Sequence, residues 1–134
     1  MGTNYYVQAE CDVCGHVRRQ HIGKSSAGWV FALQADEENK LLDWPTWRSY
    51  LDGQVSSGWE IRDEYGRSVS LEDLEKVVLE RWTSREHLPS DEWLRENHAE
   101  VGPNGLAVGV GDRYRQVTRP EPEQTYEVCY YEFS

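Results

Sequence analysis

The sequence predicts a small α+β domain with an N-terminal β-hairpin, two or three helices and C-terminal strands. Aromatic and β-branched residues mix with polar ones near the start of the chain, which is typical of strands. Apolar residues then recur at helical spacing through the middle, and strand-like segments return from Leu106 onward. The length of 134 residues corresponds to one domain, so we predict a single domain over residues 1–134.

The predicted hairpin starts with "TNYYVQAE" as a strand and turns at Cys11–Gly15. The next segment, "HVRRQHI", alternates as a strand does. One face carries Val17, Arg19 and His21, and the other carries Arg18, Gln20 and Ile22. "GKSSAG" has the Gly and Ser content of a hairpin loop, and "WVFALQA" predicts a strand that pairs back on the one before it.

The first helix is predicted within "DEENKLLDWPTWRSYLDG". Asp43 is a suitable N-cap, and Pro45 fits the first turn because an N–H group there has no helical partner. Gly53 is expected to end the helix. A short strand over residues 59–63 follows and enters a turn at residues 65–67.

Two more helices and a pair of strands complete the prediction. In "SLEDLEKVVLERW", Ser70 and Asp73 approximate a capping box. The apolar face of this helix comprises Leu71, Leu74, Val78 and Trp82. "SDEWLRENHAE" predicts a helix capped by Ser90 or Asp91, which ends before the breaker "GPNG". The final stretch predicts strands around a polar turn at residues 120–124.

The aromatic content predicts an ordered core although hydrophobic residues form only 38% of the chain. Six Trp and eight Tyr are more than disordered chains carry, and their rings supply large buriable areas. The net charge of −10 argues against direct nucleic-acid binding, because surfaces that bind phosphates are basic. An acidic surface instead favours solubility, a basic partner, or mimicry of nucleic acid.

The sequence suggests neither a membrane segment nor an export signal. Apolar runs stay below the ~20 residues that span a bilayer, and "MGTNYYVQAE" lacks the regions of a signal peptide. The myristoylation pattern fails because Tyr6 stands where Ser or Thr is required. We therefore expect a cytoplasmic protein, in which the three cysteines favour metal binding over disulfides.

Cys11-x-x-Cys14 followed by Gly15 is the pattern of a zinc knuckle. Two thiolates must lie about 2.3 Å from one ion. A tight turn with two intervening residues brings them there, and Gly15 permits the positive φ of such a turn. A redox pair would instead open a helix, and two small buried thiols are a further alternative. We predict Zn2+ as the cofactor.

The other zinc ligands are predicted to be histidines. His21 follows seven residues after Cys14, which leaves enough chain for it to return to the metal. His98, at the end of the predicted third helix, is the preferred fourth ligand, with Cys129 and His16 as alternatives. Four protein ligands make a closed, structural site, whereas an open position makes a catalytic one. We expect the structural form and identify no catalytic residue.

Lys24, Ser25 and Ser26 form a candidate ligand-binding segment. "GKSS" resembles the end of a phosphate-binding loop, but Arg18 stands where that pattern requires its first Gly. Loop solvation and turn hydrogen bonds explain these residues better than phosphate binding does. The segment is therefore kept as a candidate without the nucleotide-hydrolysing function of the full motif.

Several separated stretches together resemble a family of small phage-encoded proteins. They are "MGTNYY", "CDVCG", "HIGKSSAGW", "DEYGR", "NHAEVGPNGL" and the terminal "EFS". Members commonly have the Cys-x-x-Cys-Gly, and many carry Asn-His before Gly-Pro-Asn-Gly, here Asn97 and His98. This chain departs from them at "AVGVGDRYRQVTRPEPEQ", where they often have a His- and Gly-rich stretch. The resemblance implies a phage origin and a host-cytoplasm location, and it supports His98 as a ligand, but it implies no activity.

These observations lead to one functional hypothesis and two alternatives. The hypothesis is a zinc-stabilised accessory protein that binds and modulates a host or anti-phage defence protein, with an acidic surface that steers it to a basic partner. The alternatives are a metal-dependent enzyme and a protein that sequesters a small nucleotide in a pocket lined by "HIGKSSAGW". Metal coordination distinguishes them, because four protein ligands would exclude the enzyme.

Overall fold

The computed structural model describes residues 2–80, 88–102, 105–111, 113–120 and 123–130. These residues form strands and helices in the predicted order, and the α+β class is confirmed. None of the helices among them has the length and apolar character needed to cross a membrane. In chain order the elements are β1 (Gly2–Glu10), β2 (Val17–Ser26), β3 (Phe31–Gln34), α1 (Trp44–Ser56), β4 (Glu60–Asp63), α2 (Leu71–Leu79), α3 (Asp91–Glu96), β5 (Ala99–Val101), β6 (Ala107–Gly109), β7 (Tyr114–Pro120) and β8 (Glu123–Cys129).

Within the described residues, six strands form one sheet in the order β4-β1-β2-β3-β8-β7. Neighbouring strands are antiparallel except β3 and β8, which run parallel from the pair Phe31–Tyr126 to the pair Gln34–Cys129. This parallel pairing joins the N-terminal hairpin to the C-terminal strands. β5 and β6 form a separate antiparallel pair.

One face of the six-stranded sheet packs against α1 and α2. Trp44 and Trp47 of α1 are almost fully buried there, in agreement with their predicted place in the core. The backbone N–H of Trp44 donates to the Tyr126 hydroxyl over 2.8 Å, and the Trp47 indole donates to the Gln34 carbonyl over 2.9 Å. The same apolar cluster includes Val7, Ile22, Phe31, Leu33, Leu51, Ile61, Leu74, Val78 and Val128.

β5, β6 and α3 lie over part of the opposite face, near β3 and β8. A second buried cluster there contains Val30, Leu106 and Val108. The Gly109 N–H donates to the carboxylate of Glu127 on β8 over 2.7 Å. The rings of Trp29 and Trp93 pack with their centroids 5.5 Å apart. These contacts connect the small sheet to the centre of the large one.

The helices start at the predicted caps. The Asp43 side chain accepts from the Thr46 N–H over 2.9 Å at the start of α1. Ser70 and Ser90 cap α2 and α3 in the same way. Such side chains satisfy N–H groups that have no partner within the helix. Trp82, predicted on the buried face of the second helix, lies outside the described residues.

The end of α1 differs from the prediction. The helix continues past Gly53 to Ser56. Gly58 has φ 98°, and its N–H donates to the Val55 carbonyl over 3.1 Å. A glycine in the left-handed conformation just beyond the last turn commonly ends a helix. Gly58 therefore ends α1, as was expected of Gly53.

The segment "GKSS" is part of β2, and the prediction of a loop there is wrong. Lys24 pairs with Asn4 of β1 on one side and with Ala32 of β3 on the other. The chain turns two residues after "GKSS", where Gly28 has φ 82°. Pairing with a neighbour on each side outweighs the low intrinsic strand preference of Gly and Ser.

Candidate metal centre

The tight turn between β1 and β2 carries the Cys-x-x-Cys. The last ladder pair of the hairpin is Glu10 with Val17. Beyond it, the Cys11 N–H donates to the His16 carbonyl and the Gly15 N–H donates to the Cys11 carbonyl, both over 2.8 Å. Gly15 has φ 70°, the conformation predicted for it. Local hydrogen bonds therefore fix the fold of this segment.

The two thiols of the turn are exposed and close to each other. The pKa of the Cys11 thiol is lowered, first by the backbone N–H of Cys14, then by that of Val13 and by the Cys14 thiol. The positive charge of Arg18 acts in the same direction. Zinc binds the thiolate form of cysteine, so this arrangement of donors around the sulfur fits half of a zinc site.

His21 does not join the two cysteines. It lies in β2, four residues beyond Val17, which corresponds to about 13 Å along an extended strand. Its Nε2 is 2.8 Å from Asn4 Oδ1, and its Nδ1 is 3.2 Å from Gln34 Oε1. Burial lowers its pKa. The predicted return of this ring to the metal requires a flexible chain, whereas the sheet holds it against two amides.

The Gln34 amide beside His21 is oriented by two backbone carbonyls. Gln34 Nε2 donates to the carbonyls of Ala35 and Cys129, both over 3.4 Å. Its Oε1 therefore faces Nδ1 of the ring, and Asn4 Oδ1 faces Nε2. A ring bonded at both nitrogens has a structural role, because it fastens β2 to β1 and β3.

His98 also lies apart from the cysteines. α3 ends at Glu96, and His98 follows its C-cap with φ 51°. The His98 carbonyl accepts from the Val110 N–H over 3.0 Å. The residue thus forms the left-handed connection into β5 rather than the end of the helix, where the sequence placed it.

The two alternative fourth ligands occupy opposite environments. His16 is exposed within the turn, and Cys129 is buried in β8. Over the described ranges, no three His, Cys, Asp or Glu side chains are grouped so that they could hold a metal. The described chain therefore brings Cys11 and Cys14 together without His21 or His98, and the four-ligand set remains a prediction that this arrangement does not reproduce.

Lys24, Ser25 and Ser26 do not form a phosphate-binding loop. The three residues pair with Asn4, Thr3 and Gly2 of β1 in a regular ladder. A phosphate cradle needs several successive backbone N–H groups directed at the ligand, and a ladder directs successive N–H groups to alternate sides. Any contribution of Lys24 to ligand binding would come from its side chain.

A polar face that the sequence analysis missed surrounds His21, on the side of the sheet opposite α1 and α2. We define the polar face as Asn4, Tyr6, Arg19, His21 and Lys24. The Arg19 guanidinium carbon lies 3.9 Å from the Tyr6 ring centroid, and the rings of Tyr6 and His21 are 5.3 Å apart. The alternation in "TNYYVQ" was a usable signal, because it places Asn4 and Tyr6 on one side of the strand.

A second missed residue is Glu127, a carboxyl group in the middle of β8. Only 3% of its surface is exposed. Burial raises its pKa to about 7, although the hydrogen bond from the Gly109 N–H acts in the opposite direction. A single Glu between the apolar residues of "YEVCYY" was the available signal, because it alternates with Tyr126 and Val128 of the helix-covered core.

A cleft on the other side of the sheet is too small for a typical cofactor. It holds about 180 Å³ and is lined by Asp43, Trp44, Pro45, Leu79, Arg115, Val117 and Tyr126. Small-molecule sites usually measure about 300–1,000 Å³. The cleft also lies away from both the thiol pair and the polar face, so it adds no chemistry to either.

Comparisons with protein-family models, with curated proteins and with solved structures find no match to this chain. Its function must therefore be inferred from the chemistry of its own residues. The feature with the most definite chemistry is the exposed pair Cys11 and Cys14.

Proposed function

We propose that this protein is a phage-encoded, zinc-stabilised accessory protein that acts in the host cytoplasm by binding a host or anti-phage defence protein. The observation that carries the zinc assignment is the thiol pair of Cys11 and Cys14 in a tight exposed turn. The resemblance to small phage-encoded proteins supports the origin and the compartment. The partner assignment is supported by surface chemistry.

A zinc role fits the turn better than a redox role. Redox Cys-x-x-Cys pairs depend on a helix N-terminus to stabilise the reactive thiolate. Here the pair lies between two strands, and the donors at Cys11 are the N–H groups of Cys14 and Val13. The same N–H groups would stabilise a zinc-bound thiolate, because a metal-bound sulfur keeps much of its negative charge.

The binding role rests on surface charge. The chain carries 24 acidic and 14 basic side chains, and an excess of this size raises the rate of encounter with a basic partner. At the tip of the hairpin the pattern changes, since Val13 is 95% exposed beside the two thiols. An apolar side chain presented at a protruding turn is a suitable contact for a partner protein.

The zinc assignment can be tested on the full chain by elemental analysis and thermal unfolding. We expect zinc to copurify, and a chelator to lower the melting temperature by several degrees, because a ligand of the folded state stabilises it by mass action. Cys11→Ser and Cys14→Ser should lose the metal and the chelator effect, whereas Cys129→Ala should keep both. Zinc-free protein with a melting temperature that chelator leaves unchanged would refute the proposal.

The partner assignment needs a separate readout. Purified protein immobilised on resin should retain a host or defence protein from infected-cell extract at moderate salt and release it at high salt. If the partner contacts the hairpin tip, chelator-treated protein and Cys14→Ser should retain less of it, so both serve as matched controls. If an unrelated acidic protein on the same resin retained the same partner equally well, the assignment would be contradicted.

A second candidate function, binding of a small nucleotide, is favoured by the polar face. Arg19 and Lys24 bring positive charge to this face of an otherwise acidic chain, and stacking on Tyr6 holds the Arg19 guanidinium in place. A nucleotide should then raise the melting temperature of the protein, and Lys24→Ala should reduce the shift. Lys76→Ala, on the exposed side of α2, is the control. No shift with any nucleotide would exclude this candidate.

A further inference from the structure

The described residues supply only half of a structural zinc site. Such a site is tetrahedral and takes four protein ligands, most often cysteine and histidine. Cys11 and Cys14 provide two sulfurs, and over the described ranges no third His, Cys, Asp or Glu side chain is grouped with them. If zinc binds here, the described residues leave two of its four coordination positions to be filled.

The hairpin tip is accessible to a second molecule. β4 pairs with β1 only from Tyr5 to Gln8, and β3 pairs with β2 only at Gly23 and Lys24. The outer part of the hairpin is therefore a two-stranded ribbon. Every residue from 10 to 19 is exposed, so the thiols can approach a partner without a clash between the two domain bodies.

Two exposed apolar side chains lie next to the thiols. Val13, between the two cysteines, is 95% exposed, and Val17, at the start of β2, is 43% exposed. Exposure of single apolar residues is ordinary, but here two of them flank a pair of metal-binding groups. A contact formed at the metal would bury both.

The charges on the two edges of the ribbon are complementary. Glu10 and Asp12 precede or lie within the turn on the β1 side, and Arg18 and Arg19 follow it on the β2 side. A two-fold related copy presents the same charges of both signs, which is compatible with a self-complementary interface.

We propose that Cys11 and Cys14 from two copies of this chain hold one zinc ion together and so join the copies tip to tip. The inference rests on the proposed zinc binding. It extends that function by naming the source of the two missing ligands as a second copy. Zinc in a four-thiolate site has the closed coordination of a structural centre.

The net charge of each copy favours this geometry over a broad interface. Two chains of charge −10 repel each other, and repulsion between exposed charges falls off over a Debye length of about 8 Å at physiological salt. Contact through the protruding tips keeps most of the negative surface separated by more than this distance. Dimerisation should therefore be stronger at 150 mM salt than at 10 mM salt.

The test is a zinc titration of the metal-free full chain, followed by light scattering for mass and a colorimetric assay for bound zinc. We expect the mass to double at a ratio of one zinc to two chains, and chelator to restore the monomer. Val13→Asp should weaken the dimer by about tenfold or more, because it places like charges against each other. Val55→Asp, at a valine of α1 that is also 43% exposed, should leave the dimer unchanged.

The outcomes separate this inference from the function beneath it. One zinc bound per monomer, with no change in mass, would overturn the shared site and leave the zinc function intact. Zinc bound only in the presence of a host protein would overturn it in favour of a mixed site. Failure to bind zinc at all would reject both proposals. Circular dichroism of each variant distinguishes loss of the dimer from loss of folding. Cys14→Ser should also lose the dimer, and Val13→Asp provides a second test if Cys14→Ser misfolds.

Discussion

The hairpin tip and the middle of β8 place the same side chain in opposite environments. Cys11 is exposed, and backbone N–H groups lower the pKa of its thiol. Cys129 is 1% exposed, and burial raises the pKa of its thiol far above the ordinary value. The charge of Glu127, two residues earlier, acts in the same direction on Cys129. Position relative to the sheet, rather than residue type, therefore separates an exposed thiol of lowered pKa from a core thiol of raised pKa.

The two regions also satisfy their polar groups differently. The turn at 11–16 closes its backbone hydrogen bonds within six residues. Glu127 depends on the Gly109 N–H, eighteen residues away in sequence, on a strand of the small sheet. The conformation of the turn is thus determined locally, whereas the environment of Glu127 forms only when the two sheets pack together.

Thiol reactivity should show the largest contrast between the two regions. In metal-free protein, Cys11 and Cys14 should react with a disulfide reagent at least about a hundredfold faster than Cys129, because the exposed thiolate is the nucleophile. The rates can be followed by absorbance in native buffer and again in denaturant. Cys129→Ala should lack the slow phase, and Cys11→Ser should lose one fast thiol.

A fast third thiol in the native protein would break this contrast, since it would show that β8 opens readily. Slow reaction of both Cys11 and Cys14 would also contradict it, since exposed thiols should react fast. Added zinc should slow the two tip thiols and leave the rate of Cys129 unchanged, which distinguishes protection by metal from protection by burial.

Glu127→Gln should produce the next largest effect, on the pH dependence of stability. The folded-state pKa of about 7 lies above the ordinary 4.5, so the unfolded chain releases this proton at lower pH than the folded chain does. Ionisation therefore favours unfolding between about pH 4.5 and 7, and the folded state loses about 3 kcal/mol by pH 8. The Gln side chain is never charged and can still accept the Gly109 N–H.

Denaturant unfolding at pH 5 and pH 8 measures this effect as a difference between the two proteins. The variant should be more stable than the wild type by about 3 kcal/mol at pH 8 and by less than about 1 kcal/mol at pH 5. Glu38→Gln, at an exposed residue between β3 and α1, is the control for removal of one negative charge. An equal gain at both pH values would show that the Glu127 carboxyl is not titrating as its burial requires.

Local signals explain what the sequence predicted well. Asp43, Ser70 and Ser90 were identifiable as N-caps because each depends on an N–H group three residues ahead. The Cys11 turn was identifiable for the same reason, since its spacing and Gly15 lie within five residues. In these cases the partners of a residue are its near neighbours in the chain.

Pairings distant in sequence explain what the sequence did not predict. The parallel β3–β8 pair joins Phe31 to Tyr126, and no local pattern contains that contact. His21 is predicted as a metal ligand because no local pattern reveals its partners. These are the side-chain amides of Asn4 and Gln34, which lie in other strands. The register shift of β2 beside Tyr5 and Tyr6 was equally invisible, although it sets which side chains of the strand reach the polar face.

Substitution by serine should give the smallest effect and the sharpest comparison, because the same change is made at both sites. In chelator, Cys129→Ser should cost about 1–3 kcal/mol, since it introduces a buried hydroxyl where the packing provides for sulfur. Cys11→Ser should stay within about 0.5 kcal/mol, as exposed substitutions do.

With zinc at a hundred times its dissociation constant the order should change. For a site on a single chain, wild type and Cys129→Ser should then each gain about 2.7 kcal/mol that Cys11→Ser lacks. Urea unfolding of the three proteins in both conditions supplies all six values, and an equal zinc response in Cys11→Ser would remove the tip from the metal site.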